Sequence, residues 1–333
     1  MKILILCQFS KGICGVWSRA RLDAQNLAEE GNEVFIFSSN AIKGESGKAP
    51  AEDSIGNIKI KRYDFKKLGG ESFMKWDNKW LDDAREFKPD LVMAHCYRHL
   101  HTTEALKVGC PVTLITHAPF VEDNRTRSFL STLAVKFYDA FIGPRTINKF
   151  DKILAIAKWE VPYLKALGAE ESRIEIQPNP IQKEFYSQAL GKCKRDILFL
   201  GRVSPIKDIE TLIRAAKLVP EFLFDIVGPL EEDYGLKLKA LIKELNVDNV
   251  HFEEPVYDIE KKIEVIDNHK IFVLPSIREG LPTALIEALA RKRICIASDN
   301  EGNKEVLEEK PNSFIFKIGD YEELAKLIRS AMK

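Results

Sequence analysis

The chain has 333 residues, of which 45% are hydrophobic and 30% charged, an ordinary soluble balance with length for one large core or two ordinary ones. Its 50 basic and 50 acidic side chains cancel, so there is no global pull toward nucleic acid. No apolar run approaches the roughly 18 residues of a membrane span. Six cysteines (Cys7, Cys14, Cys96, Cys110, Cys193 and Cys295) are scattered without a Cys-x-x-Cys pair, which points to reduced thiols in a cytosolic protein.

The start, "MKILILCQFSKG", reads as a first buried strand: the apolar run is short for a signal segment and lacks a small-residue cleavage site. Further strands are expected at "EVFIFS", "IKIKRY", "DLVMAH", "PVTLIT", "KILAIA" and "RIEIQP", with helices over 18–30, 73–87, 129–137 and 159–167. The second half repeats the rhythm. Strands at "DILFLG", "FLFDIVG", "NVHFEE", "IFVLPS", "RICIAS" and "SFIFKI" alternate with helices near 208–219, 234–245, 260–266, 283–292 and 321–332. Such alternation predicts an α/β fold of two Rossmann-like, doubly wound parallel sheets facing a central cleft. The expected divisions are 1–181, 182–320 and a C-terminal helix over 321–333 that could pack back on the first domain.

In open α/β sheets ligands bind beyond the carboxyl ends of the strands. After the first strand, "CQFSKGICG" offers Gly12 and Gly15, either a plain turn or a place for backbone to approach a ligand. Neither a Gly-x-Gly-x-x-Gly fingerprint nor a P-loop is present. In "FLGRVSPIKD", Gly201, Arg202 and Lys207 follow a strand; the two cations suit a diphosphate, or are solvated loop charges. In "SIREGLPTALIEALA", Gly280, Leu281 and Pro282 lead into a helix beginning near Pro282 or Thr283. Its N-terminus is an anion site by its free N–H groups and dipole. Glu279 precedes the helix, and Glu287 sits within it in an otherwise apolar run, where an unpaired carboxylate is costly. A sugar diol supplies two donors to such a carboxylate; the plain alternative is a solvated Glu279 and a dipole-favoured Glu287.

These stretches resemble glycosyltransferase family 4, the retaining, GT-B-fold transferases. "EGLPTALIE" fits its Glu-x7-Glu motif, "LGRVSPIKD" its Gly-Arg-x(4)-Lys loop, and "KPDLVMAH" and "TLITHAPF" its two histidine-bearing strand ends. The resemblance covers nearly the whole chain and implies a role for each residue. Arg202 and Lys207 would hold the donor diphosphate, with the backbone at Gly201, Gly280, Leu281, Pro282 and Thr283 around the donor. Glu279 would contact the donor sugar, and Glu287 the nucleotide ribose. The Gly12 to Gly15 turn would lie near the diphosphate, His117 beside the transferred sugar and His95 on the acceptor side. Departures are "PNP" for Pro-Asn-Gly at 178–180, Lys292-Arg293-Ile294 for Gly-x-Pro, Glu301-Gly302 for Gly-Gly, and Ala157 for a serine.

The reaction this resemblance implies is transfer of a hexose-type sugar from a UDP- or GDP-sugar to a sugar, lipid-linked or other hydroxyl acceptor, with retention by front-face attack. The rival readings are a nucleotide-sugar epimerase and a non-catalytic binding relative. With no Asp-x-Asp in the chain, no metal and no bound cofactor are expected. "HCYRHLH", 95–101, suggests zinc, but lacks the second half of a zinc motif. "KFYDAFIGPRTINKFDK", 136–152, interleaves aromatics with cations. It is either a solvated helix face or a peripheral contact with an anionic membrane.

Overall fold

The structure is a computed structural model that describes residues 1–44, 47–68, 70–117, 129–187 and 193–333. Residues 118–120 of the second histidine stretch and 188–192, just beyond the expected division at 181, lie outside the described residues. The chain divides into two compact units, Met1–Pro180 and Ile181–Lys333.

The first unit is built on β1 (Lys2–Phe9), β2 (Glu33–Ser39), β3 (Glu52–Ile55), β4 (Ile58–Tyr63), β5 (Phe65–Lys67), β6 (Met74–Trp76), β7 (Leu91–His95), β8 (Val112–Ile115), β9 (Lys152–Ala155) and β10 (Ile174–Ile176). Its main sheet has the order β10-β9-β8-β7-β1-β2-β4-β3, parallel except for the antiparallel edge strand β3. β1 is buried from Ile3 onward, as expected of a central strand covered on both faces. At the edge, β10 is largely exposed.

The stretch 73–87 is not one helix. A 3-10 turn (Glu71–Phe73) leads into β6, which pairs antiparallel with β5, and only Lys79–Phe87 is helical. The physical reason lies in the aromatics and in Asp77. Trp76 and Trp80 are both buried, Trp76 stacks on His101 at 4.6 Å, and the Asp77 carboxylate accepts the Lys79 N–H at 3.0 Å, starting the helix there. Two short helices not anticipated, Leu100–Ala105 and Glu301–Leu307, follow β7 and the fifth strand of the second sheet.

The second unit carries β11 (Arg195–Leu200), β12 (Phe224–Val227), β13 (Val250–Glu253), β14 (His269–Leu274), β15 (Ile294–Ser298) and β16 (Ser313–Phe316) in the order β13-β12-β11-β14-β15-β16, all parallel. Chain order reverses between β11 and β14, the topological switch point at which such sheets bind ligand. The C-terminal helix Tyr321–Met332 belongs to this unit. It buries Leu324, Ala325 and Ile328, and Arg329 donates to Glu221 at 2.9 Å and to the Leu218 carbonyl at 2.6 Å.

Gly228 and Gly201 let the loops after β12 and β11 lie back to back. A Cβ on Gly228 would stand 2.0 Å from the Gly201 carbonyl oxygen, and its φ of +146° disfavours any side chain. Gly228→Ala is therefore expected to destabilise the protein by about 1–3 kcal/mol, from overpacking. Gly70→Ala, at φ −68° with nothing within 4 Å, should be near neutral. Equal melting temperatures for the two variants would refute the packing account.

Candidate functional site

In the second unit the loop after β11 is drawn against its neighbours by backbone bonds. Val203 donates to Pro229 at 2.8 Å, Glu231 to Val203 at 3.1 Å, and Ile277 to Ile206 at 2.9 Å. These contacts set the side chains. Arg202 reaches the Glu231 carboxylate, and Lys207 meets Glu279 at 2.5 Å. The Lys207 and Glu279 side chains are only 19% and 12% exposed, so water screens this pair weakly. Lys207 ends a 3-10 turn (Pro205–Lys207), after which Asp208 takes a left-handed φ of 50° and helix Ile209–Leu218 begins.

The loop after β14 is fixed from below. The Ser276 carbonyl accepts from Ser298 Oγ at 2.5 Å and from Asn300 Nδ2 at 2.9 Å. Gly302, which keeps the second glycine of the family's Gly-Gly where Glu301 replaces the first, is required here. A Cβ on it would meet the Gly280 oxygen at 2.6 Å and the Glu279 oxygen at 2.8 Å. Leu281 is buried and Pro282 is the N-cap, not the first helical residue, of Thr283–Ala290. This N-terminus has no side-chain cap and no acidic residue in its first turn, so its dipole is not offset locally. Gly201 packs under the same edge with φ +156°.

Glu287 is buried, and Lys262 approaches its carboxylate to 2.5 Å. Burial pushes the Glu287 carboxyl above its ordinary range, and the Lys262 charge and hydrogen bond oppose that. Lys262 in turn lies over the Phe185 ring at 5.5 Å. Neither Lys262 nor Glu231 stands out in the sequence, because each is one charge among many on a helix or loop that only the fold brings alongside.

In the first unit, Gly12 is tied to structure. It bridges to Lys43, and a Cβ on it would meet the Lys43 oxygen at 2.3 Å. Gly15 is exposed, has nothing within 4 Å of where a Cβ would stand, and opens helix Gly15–Glu29, which has no side-chain cap. His95 and His117, from the ends of β7 and β8, meet at 3.0 Å through Nδ1 and Nε2. His95 is fully buried and His117 beside it is partly exposed. In "HCYRHLH", His101 is engaged in packing. His101 stacks on Trp76 and bonds the His95 carbonyl at 3.0 Å, and no group of three or more metal-ligating side chains occurs among the described residues.

Two buried residues that the sequence did not flag hold this end. Glu160 accepts from Thr116 Oγ1 at 2.5 Å and from the Ile156 N–H at 2.9 Å, tying the β8 end to the β9 end. Arg19 binds Asp23 at 2.6 Å and the carbonyls of Gln177 and Pro178 at 3.2 and 3.0 Å. Burial first, then the Arg19 charge, holds His117 down to about 3, and burial, then His117 and Arg19, holds His95 well below its ordinary value.

A histidine depressed in the folded state takes up a proton more readily unfolded, so its contribution to stability is complete above the unfolded value near 6.5 and is lost as pH falls toward the folded value. Stability, and with it the melting temperature, should therefore fall as pH drops from 7 through 5, by up to about 1.4 kcal/mol per pH unit per proton. His117→Gln should flatten that slope; an unchanged slope would mean that His117 is not held neutral.

Two family profiles match the chain: Glycosyl transferases group 1 over residues 181–333 and Glycosyltransferase Family 4 over 14–185. An uncharacterized glycosyltransferase of Haemophilus influenzae is 33% identical over 196 residues, 55% of this chain and 53% of that protein. The UDP-Gal:alpha-D-GlcNAc-diphosphoundecaprenol alpha-1,3-galactosyltransferase of Escherichia coli is 28% identical over 268 residues, 70% of this chain and 64% of its own. The chain spans about half the length of the curated relatives it matches. Among solved structures, sucrose-phosphate synthase from Thermosynechococcus elongatus superposes with a TM-score of 0.80 at 16% identity, over 100% of this chain and 90% of that one. The Anabaena protein HepE, in complex with UDP and glucose, gives 0.73 at 18%, over 100% and 90%. At such identities the likeness is one of fold, and the fold is GT-B. With its profile matching more than half of the sequence, the chain belongs to glycosyltransferase family 4.

Proposed function

We propose that the chain is a retaining glycosyltransferase. It moves a hexose-type sugar from a nucleoside-diphosphate sugar to a hydroxyl acceptor in glycan or glycolipid synthesis. The observation that carries this reading is the convergence at one sheet edge of Arg202, Lys207, Glu279 and the uncapped N-terminus of Thr283–Ala290. Two cations and a helix N-terminus match the charge that develops on a departing diphosphate. A diphosphate taking up Arg202 and Lys207 would replace the carboxylates of Glu231 and Glu279, leaving Glu279 to accept from a sugar hydroxyl. Glu287 would accept from the ribose diol, with Lys262 keeping the buried carboxylate ionised. His117, as a neutral imidazole, suits a hydrogen bond to a sugar hydroxyl.

In front-face attack the acceptor oxygen forms its bond to the anomeric carbon on the side from which the diphosphate leaves. The anomeric carbon–oxygen bond to diphosphate breaks, and the acceptor proton passes to a phosphate oxygen. The relative that names UDP-Gal, and the neighbour solved with UDP and glucose, make a UDP-sugar the first donor to try and a lipid-linked diphosphate the first acceptor.

Among UDP, GDP, ADP and CMP, one is expected to raise the melting temperature, by an amount worth roughly 2.7 kcal/mol at 100 times its dissociation constant. Arg202→Ala should abolish the shift. No stabilisation of folded wild-type protein by any of the four would overturn the donor site. Turnover of the donor without an acceptor, leaving an isomerised nucleotide sugar, would indicate an epimerase instead.

The transfer is proposed to need no metal, since the protein's own cations face the diphosphate. Activity should survive a chelator unchanged; loss on chelation and recovery with magnesium or manganese would contradict it.

A further inference from the structure

Arg202 is held less firmly than the buried arginines of this chain. Arg291 donates to both carboxylate oxygens of Asp267, to the Phe185 and Ser187 carbonyls and to Ser187 Oγ. Arg19 meets Asp23 and the carbonyls of Gln177 and Pro178. Those guanidiniums are occupied by the fold. Arg202 has one partner among the described residues, Glu231, which it reaches through Nη1. A guanidinium carries five N–H donors, so most of those on Arg202 face solvent or a ligand.

The partner is a carboxylate on a fixed backbone. The Glu231 N–H donates to the Val203 carbonyl at 3.1 Å, its own carbonyl accepts from Gly235 at 2.7 Å, and Leu230 bridges to Val203. Glu231 is the N-cap of helix Glu232–Leu245, yet its side chain makes no cap bond; it turns to Arg202 instead. The Arg202 and Glu231 side chains are 24% and 36% exposed. Water therefore screens the pair, and opening it costs far less than breaking the buried Arg291–Asp267 pair. A cavity of about 480 Å³, lined by Pro205, Glu231, Glu232, Asp233 and Tyr234, gives the carboxylate room to leave the arginine.

We propose that Glu231 is a competing anion built into the donor site. Its carboxylate takes the place of a phosphate on Arg202 when the site is empty and recovers the arginine when the nucleoside diphosphate leaves, so that it sets the affinity for donor and product alike. This inference deepens the donor-site reading and rests on it. A phosphate on Arg202 beside an undisplaced Glu231 would set like charges against each other, so binding includes opening of the ion pair. Glu279, the counter-ion of Lys207, differs: in the proposed reaction it turns to a sugar hydroxyl once displaced, whereas Glu231 has no second use. The rival role, a carboxylate that orients Arg202 for its ligand, predicts an effect of opposite sign.

The test is titration calorimetry of UDP, GDP and ADP against the whole chain as wild type, Glu231→Gln, Glu231→Ala and Glu232→Gln. Glutamine keeps the shape of Glu231 and removes its charge. For the diphosphate that binds wild type, the dissociation constant should fall by about three- to tenfold in Glu231→Gln, the range set by one partly exposed ion pair. Glu231→Ala, which removes the hydrogen bond as well, should also tighten binding. Glu232 is exposed, and Glu232→Gln removes the same unit of charge one residue on, so it should change the constant by less than about twofold. Unchanged or weaker binding by folded Glu231→Gln and Glu231→Ala, or equal tightening by Glu232→Gln, would overturn the proposal and leave the donor site in place. Binding of none of the three by folded wild type would overturn the donor site, and this inference with it.

Discussion

Lys207 and Glu279 lie 72 positions apart in the chain and 2.5 Å apart in the structure. The parallel pairing of β11 with β14 puts the ends of both strands at one level, and the Ile277 to Ile206 backbone bond ties the two loops together. The parallel sheet buries its centre on both faces, so a charge within a strand needs a partner, as Asp225 in β12 has in Arg195 and His269. Charged groups that must work together are left with the strand ends. There the lower dielectric strengthens an ion pair while making an unpaired charge expensive.

Three charges at that edge have protein counter-ions. Arg202 has Glu231, Lys207 has Glu279, and the buried Glu287 has Lys262. The three pairs differ in depth. Glu287 is the most enclosed, and burial raises its carboxyl above the ordinary range even with Lys262 beside it. Removing Lys262 would leave a buried carboxylate uncompensated, so the glutamate would hold a proton over a wider pH range and lose acceptor capacity. A lysine on a neighbouring helix thereby favours the charged, acceptor-only form of a glutamate in an apolar helix.

The fold was legible because its signal is repeated. Alternating apolar runs and amphipathic segments are averaged over many elements, and parallel strands read as continuous apolar stretches. The reading failed at 73–87, where Trp76 and Trp80 match a helical period but serve two different elements, with Asp77 setting the break. The candidate site was read from spacing within one loop or helix, as with Arg202 and Lys207 or Glu279 and Glu287. Its counter-ions were not, because Glu231 and Lys262 reach the edge from other elements. The need for a glycine at 302 appears only when the Glu279 and Gly280 carbonyls are seen to lie against it.

Arg19 shows how a structural charge can bear on a functional one. Its guanidinium fastens the last residues of the first unit, 177–179, to the helix that begins at Gly15, while Asp23 compensates it at 2.6 Å. Asp23 is itself pushed upward by burial, against the pull of Arg19. Losing either partner of such a buried pair costs about 3–5 kcal/mol, because the survivor is stranded. The same positive charge lowers the proton affinity of His117 and His95. The residue that secures the end of the first unit therefore also biases the histidine pair toward its neutral, hydrogen-bonding form, so that chain path and site chemistry depend on one buried cation.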